Sequence, residues 1–279
     1  MHADHLGGLF GLIQQRRRAF ENLGHEYEKL ILLCPNKYVD VGRKQWNYFS
    51  TRFSFDDDVH VIFNRTLTNG LPTLTNIGGK NTDEEKFLVD KFQSIGLQGV
   101  QTVLVEHIYD AHALVLRHID GWSIAFSGDC KQSNDFIQAG QNVDVLIHES
   151  TFENGFEVYA SQMRHCTMNQ AIDVGRRMRA KYTILWHFSQ RYAKIPFLSE
   201  KKDQDEAVQR PENVAISFDF MRVHLSDLPR ACELVSVFES MFYDEWLSMK
   251  KKQTRREQEP DYFTTNARMI ESKRKHVSE

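Results

Sequence analysis

The sequence predicts an α/β fold in which strands are covered by helices. Three observations carry that prediction. The chain opens with helical periodicity followed by a short buried strand. An amphipathic stretch over residues 169–181 is set between two apolar runs of strand length. Finally, three successive runs of this kind end on residues able to bind metal or move protons: Asp129, His148-Glu149 and His187. That recurrence points to one site at one edge of a sheet.

The elements follow in order. From Leu6 to Gly24 the apolar residues Leu6, Leu9, Phe10, Ile13 and Phe20 recur at helical spacing, and Gly24 supplies a stop. Arg16, Arg17 and Arg18 lie between them. Residues 29–35 read as a short buried strand ended by proline. The stretch 40–100 says least. Within it 59–63 suits a strand with His60 on its surface, Asn69-Gly70 and Gly78-Gly79 mark turns, and 83–92 suits a short polar helix. Strand-like runs follow at 102–105 and 113–116. A turn at Ile119-Asp120-Gly121 leads into 122–126, which stops at Ser127-Gly128-Asp129. The run 143–147 delivers His148-Glu149-Ser150-Thr151, and 182–186 ends on His187. Beyond Pro211, residues 214–217 and 221–225 read as strands and 231–252 as one helix. Residues 250–279 are mostly charged and read as a solvated tail.

Composition narrows the function classes. The 279 residues, 41% hydrophobic and 26% charged, are those of an ordinary globular chain with ample core. A net charge of −3 excludes a globally basic nucleic-acid binder, so any RNA contact must be local. Cys34, Cys130, Cys166 and Cys232 form no CxxC pair and read as free thiols of a reducing compartment. No run of about 18 apolar residues is present to span a membrane, and no signal peptide is visible.

The chemistry begins at the first turn. His2, Asp4 and His5 place two imidazoles and a carboxylate together, a mixture that suits zinc without thiolate and leaves positions for water. Taken alone the cluster reads equally well as a polar turn. Its weight comes from Glu106-His107, Ser127-Gly128-Asp129 and Trp186-His187-Phe188, which are able to complete a metal site.

These residues match a known pattern. The chain resembles the metallo-β-lactamase superfamily and, within it, ribonuclease Z (tRNase Z), most closely the carboxyl-terminal half of the long form. The matching pieces are His2-Ala3-Asp4-His5, His107, Ser127-Gly128-Asp129, His148 to Thr151, His165-Cys166-Thr167 and His187 to Tyr192. The resemblance runs from residue 1 to about 230, dense over 101–197 and loose over 40–100. Its most specific part is 186–196, because generic hydrolases of the superfamily lack Phe-Ser-Gln-Arg-Tyr after the histidine.

The resemblance implies an αβ/βα sandwich, N-terminally incomplete, with a catalytic domain over 1–230 and a C-terminal helix and charged tail over 231–279. It implies a zinc-dependent endoribonuclease that removes the 3′ trailer from precursor tRNA and leaves a 3′-hydroxyl. One zinc would be held by His2, His107 and Asp129 with a further histidine. The second would be held by Asp4, His5 and His187, with Asp129 bridging. Asp4 would also orient the attacking water, Glu149 and His165 would form a proton relay to the leaving oxygen, and Thr151, Thr167, Ser189, Arg191 and Tyr192 would serve the substrate. The long form suggests nucleus or mitochondrion; a homodimer fits, and no membrane partner is implied.

Departures from the family pattern set further expectations. The first histidine of its HxHxDH motif would lie just before Met1, so the first zinc should bind more weakly than the second. The strands that precede that motif, and a Gly-Pro-rich tRNA-binding arm, are not found. His112-Ala113 stands where an aromatic-glycine pair is usual. Cys130 and Cys166 replace a threonine and a serine, and a thiol is a poor hydrogen-bond donor. Two rivals therefore stay open: another hydrolase of this fold, acting on a thioester, lactone or phosphodiester, and a partial chain that binds RNA or protein without cutting.

Overall fold

The computed structural model describes residues 7–49, 54–70, 83–189, 197–198 and 211–257. Helix α1 (Leu9–Leu23) ends at the expected Gly24. Strands β1 (Leu30–Cys34) and β2 (Val59–Phe63) pair in parallel as a small sheet. Parallel strands need a crossover, and here it carries α2 (Asn36–Phe49), which periodicity did not reveal, and the single turn α3 (Phe55–Asp58). Ile13 of α1 and Trp46 of α2 close over Phe55 and Val59. Arg17 is no solvated cation: its Nε donates to the wholly buried Asp58 carboxylate at 2.6 Å. His60 is half-buried, its ring tilted against Phe87 at 4.8 Å, and not the surface residue expected. Helix α4 (Asp83–Ser94) contributes Leu88 and Phe92 to a core shared with Ile62, Leu97 and Val100.

The site rests on a larger sheet. Among the described residues it has six strands in sequential order: β3 (Leu97–Leu104), β4 (His112–His118), β5 (Ser123–Phe126), β6 (Val145–Glu149), β7 (Tyr182–Trp186) and β8 (Val214–Ile216). The first two pairings are antiparallel and the last three parallel. Helix α5 (Asn134–Ala139) makes the β5–β6 crossover, and α6 (Glu157–Met163) and α7 (Met168–Met178) make the next. Register pairs Phe126 with Ile147 and Glu149 with Trp186. Strands in parallel bring their carboxyl ends to one edge, so Asp129, Glu149 and His187 do share it.

Helix α7 is held close to that sheet. Ala171, Val174 and Met178 lie wholly buried on its inner face, and Gly175 lets it approach, since a Cβ there would run into the Thr183 side chain of β7. Two expectations fail in the last segment. Residues 221–225 form no strand: after β8 the chain leaves the sheet through Phe220, at φ 61° and fully exposed, and among the described residues no strand lies beside them to supply a ladder. Residues 231–252 are not one helix but parts of α8 (Leu228–Met241) and α9 (Tyr243–Glu257), broken at Phe242. Phe242 at φ −110°, ψ 14° packs with Phe238 on the core of Val235, Val214 and Ile216. Every residue around the break tolerates a helix, so only packing reveals it. The Gly78-Gly79 turn and residues 258–279 lie outside the described residues.

Candidate metal centre

The centre is assembled from strand ends. β5 stops at Phe126 and the chain turns away through Gly128, at φ 57° a position that favours glycine. Ser127, wholly buried, fastens this turn to β6: its hydroxyl donates to the Gly128 carbonyl at 2.6 Å and accepts the Glu149 N–H at 2.9 Å. Asp129 follows, buried, at the mouth of the turn. At the end of β7, His187 adopts φ 61°, a conformation costing about 1–3 kcal/mol for a residue with a β-carbon. His107 enters from the β3–β4 connection. Asp129 thus presents one oxygen to each histidine: Oδ2 lies 3.6 Å from His107 Nε2 and Oδ1 3.6 Å from His187 Nε2.

Hydrogen bonds decide which nitrogen of each ring carries the proton. His107 Nδ1 lies 3.0 Å from the Arg164 carbonyl oxygen, which can only accept, so Nδ1 is an N–H and, in the neutral ring, Nε2 is the lone pair. His187 Nδ1 lies 2.8 Å from Thr151 Oγ1. That hydroxyl gives its one proton to Glu149 Oε2 at 2.7 Å, so it accepts from His187 Nδ1–H. With both rings neutral, as metal-binding imidazoles are, acceptor faces acceptor on both sides of Asp129, at a distance longer than a hydrogen bond. A carboxylate between two imidazole lone pairs is a donor set that suits a cation bonded at about 2.0–2.2 Å to each atom.

Behind the centre stands Glu149, buried at the end of β6. Its Oε1 accepts from Cys130 N–H at 3.0 Å and from His165 Nδ1 at 2.7 Å, and its Oε2 accepts from Thr151 N–H at 3.0 Å. Burial pushes this carboxyl upward, but the His165 hydrogen bond and charge and the two Thr151 bonds outweigh it and hold the group below its ordinary range. Glu149 is therefore an anion, and His165 Nδ1 donates to it. The His165 ring lies 4.7 Å from that of His107 and stacks on that of His187 at 5.7 Å. A single parallel bridge between Phe152 and Thr167 brings the two loops together.

The neighbours on β6 show what alternation does. His148 points the other way, wholly buried, with Nδ1 2.7 Å from the Glu149 carbonyl; burial pushes its pKa down, so it is a neutral core residue. Burial likewise pushes the Cys130 and Cys166 thiols well up, and Cys166 donates to the Cys130 carbonyl at 3.2 Å. Both are protonated thiols, unsuited to metal. The wholly buried Thr167 caps α7, its hydroxyl accepting from Gln170 N–H. Ser189 N–H donates to the Thr151 carbonyl at 3.2 Å. His2, Asp4, His5, Arg191 and Tyr192 lie outside the described residues. Arg164 was missed by sequence reasoning. It ends α6 at φ 59°, takes the His107 Nδ1 proton on its carbonyl, and donates its guanidinium back to the His107 carbonyl. The two are 57 residues apart, and no local pattern signals the pair.

No protein-family model matches this chain. It is 35% identical over 271 residues to the zinc phosphodiesterase ELAC protein 2 homologue of Caenorhabditis elegans, covering 90% of this chain and 31% of that protein. It is 32% identical over 262 residues to the mitochondrial ribonuclease Z of Drosophila melanogaster, covering 92% and 30%. The chain thus spans about 30% of the length of these relatives. Among solved structures, a long-form RNase Z from yeast superposes with a TM-score of 0.70 at 22% identity, over 89% of this chain and 34% of that one. The human short-form tRNase Z superposes with 0.51 at 18% identity, over 81% and 76%. These two likenesses show the fold.

Proposed function

We propose that this chain, which belongs to the ribonuclease Z family of metallo-β-lactamase-fold proteins, contributes the metal centre of a zinc-dependent endoribonuclease that cuts the 3′ trailer from precursor tRNA and leaves a 3′-hydroxyl. One observation carries the reading: Asp129 stands between the lone-pair nitrogens of His107 and His187, 3.6 Å from each. The relatives' names, zinc phosphodiesterase and ribonuclease Z, supply the metal and the class of bond.

In this reading His107, Asp129 and His187, with His2, Asp4 and His5, would hold two zinc ions. Bound zinc supplies Lewis acidity and an activated water. The remaining work belongs to side chains. The Arg164 carbonyl and the Thr151 hydroxyl hold two imidazoles in the tautomer that offers Nε2. Asp4 would orient the attacking water. Glu149 fixes His165 through Nδ1, so Nε2 is the atom that passes a proton to the leaving 3′ oxygen. Ser189, Arg191 and Tyr192 meet the RNA, while Thr151 and Thr167 act through the residues they hold.

The test pairs metal content with cleavage of a precursor tRNA carrying a 3′ trailer. Asp129→Ala removes the shared counter-charge and should lose zinc and activity together. His165→Ala should keep its zinc and slow cleavage by about 10²–10⁴. Full zinc content and parent cleavage in Asp129→Ala would overturn the centre; parent rate in His165→Ala would overturn the relay.

A further inference from the structure

We infer that Tyr109, backed by Arg65, is a stacking platform for one unpaired nucleobase close to the bond that is cut. The inference rests on the RNA reading of the centre and adds a contact that no metal ligand or proton carrier supplies.

The β3–β4 connection presents two residues of opposite character. His107 is buried, with Nε2 3.6 Å from Asp129. Two residues on, Tyr109 is 64% exposed, beside the partly exposed Ile108. Two residues of chain reach about 7 Å at most. The Tyr109 backbone therefore stands within that distance of a metal-site histidine, at the same end of the sheet.

The turn that carries the ring is fastened on every side. Val105 N–H donates to the Ala111 carbonyl at 2.9 Å, and Ala111 N–H to the Ile108 carbonyl at 3.3 Å. Asp110 takes φ 63°, a left-handed conformation that residues with a side chain rarely adopt. Its carbonyl accepts from His112 Nδ1 at 2.9 Å, and its buried carboxylate accepts from Arg65 Nε at 2.7 Å. Arg65 belongs to the single turn Asn64–Leu67 that follows β2. The buried Thr102 of β3 fixes that turn, its hydroxyl donating to the Asn64 carbonyl. On the other flank, Glu106 meets Lys131, two residues beyond Asp129: the Glu106 carbonyl accepts Lys131 N–H at 3.1 Å, and the side chains pair at 2.9 Å.

Arg65 also meets the ring. Its Cζ lies 5.8 Å from the Tyr109 ring centre and its Nη2 3.5 Å from the phenol oxygen, while its side chain is 60% exposed. An aromatic ring and a guanidinium, both open to solvent and both anchored, form a surface on which single-stranded RNA can stack a base. Every base has a π face, and a planar cation beside the ring adds to the attraction.

The test couples this ring to one base. Affinity of the whole chain is measured for precursor tRNA with a 3′ trailer, intact or with an abasic nucleotide walked through the positions on either side of the cut. Tyr109→Ala should weaken binding of intact RNA by about 5–150-fold, the range for one base stacked on one aromatic ring. At one abasic position that loss should vanish, because the base it depends on is gone; at the others it should persist. Tyr109→Phe keeps the ring and should bind like the parent, and Arg65→Ala should lose affinity that depends on the same position. Emission from 2-aminopurine placed there should be quenched by the parent and by Tyr109→Phe, and not by Tyr109→Ala. Zinc affinity, from competition with a chelator, should be alike in parent and both Tyr109 variants, a readout that damage to the His107 loop would move. An equal loss at every position, no loss at any, or a loss that follows zinc affinity overturns the platform. Cleavage without coupling sinks the platform alone, whereas coupling at one position in a protein that binds but never cuts sinks the nuclease and leaves the platform.

Discussion

One hydroxyl proton organises the centre. Thr151 Oγ1 lies within 3.1 Å of Glu149, His165 and His187, and its single proton must go to the carboxylate. His187 is thereby obliged to donate Nδ1–H and to offer Nε2 toward Asp129. Removing that hydroxyl leaves His187 able to adopt either tautomer and Glu149 short of a donor. Thr151→Val should therefore weaken zinc binding by about 10–100-fold, as partners behind metal-bound histidines do, while Thr151→Ser should restore it. Competition with a chromophoric chelator measures both; parent affinity in the valine variant would show that the tautomer is held by something else.

At the scale of the element, α7 and its two neighbours set how closely the loops of the centre approach. The helix begins with the Thr167–Gln170 capping box, two residues after His165, and lies tight on β7 because Gly175 has no side chain. A methyl there improves helix propensity by roughly 1 kcal/mol, yet it collides with Thr183. Overpacking of this kind costs about 1–3 kcal/mol and should prevail, so Gly175→Ala is expected to lower the urea midpoint. The double variant with Thr183→Ala, which clears the space, should recover stability. If Gly175→Ala alone is as stable as the parent, α7 has room to shift away from β7.

For the molecule as a whole, the buried end of β6 ties stability to pH. In the unfolded chain His148 takes up a proton near pH 6.5; in the fold, burial pushes its pKa down and it stays neutral to lower pH. The unfolded state then binds the extra proton first. Stability is whole above about pH 6.5 and falls below it, by at most about 1.4 kcal/mol per pH unit for one such group. Glu149 acts in the same direction lower down. Its folded pKa lies below the unfolded value of about 4.3, so its contribution is present above that pH and is lost as pH falls through the folded value. Denaturation midpoints should decline from pH 7 to pH 5, and His148→Leu should flatten that decline. An unaltered slope in the variant would assign the effect to other groups.

The sequence by itself determined the strand ends and the chemistry they carry. Apolar runs that stop at Asp129, Glu149 and His187, the stop at Gly24 and the stripe of α7 are all local patterns, and local patterns report which face of an element is buried. Tertiary structure alone decided who meets whom. His107 finds Arg164 across 57 residues, β1 pairs with β2 around a helix that periodicity concealed, residues 221–225 find no strand beside them among the described residues, and Phe242 breaks a helix to fill a core. Above all, the 3.6 Å gaps on either side of Asp129 follow from a left-handed turn at His187 and from two hydrogen-bond acceptors behind the rings. Residue types announce that a metal can be bound. Tautomers, and the distance between lone pairs, exist only once distant segments have packed.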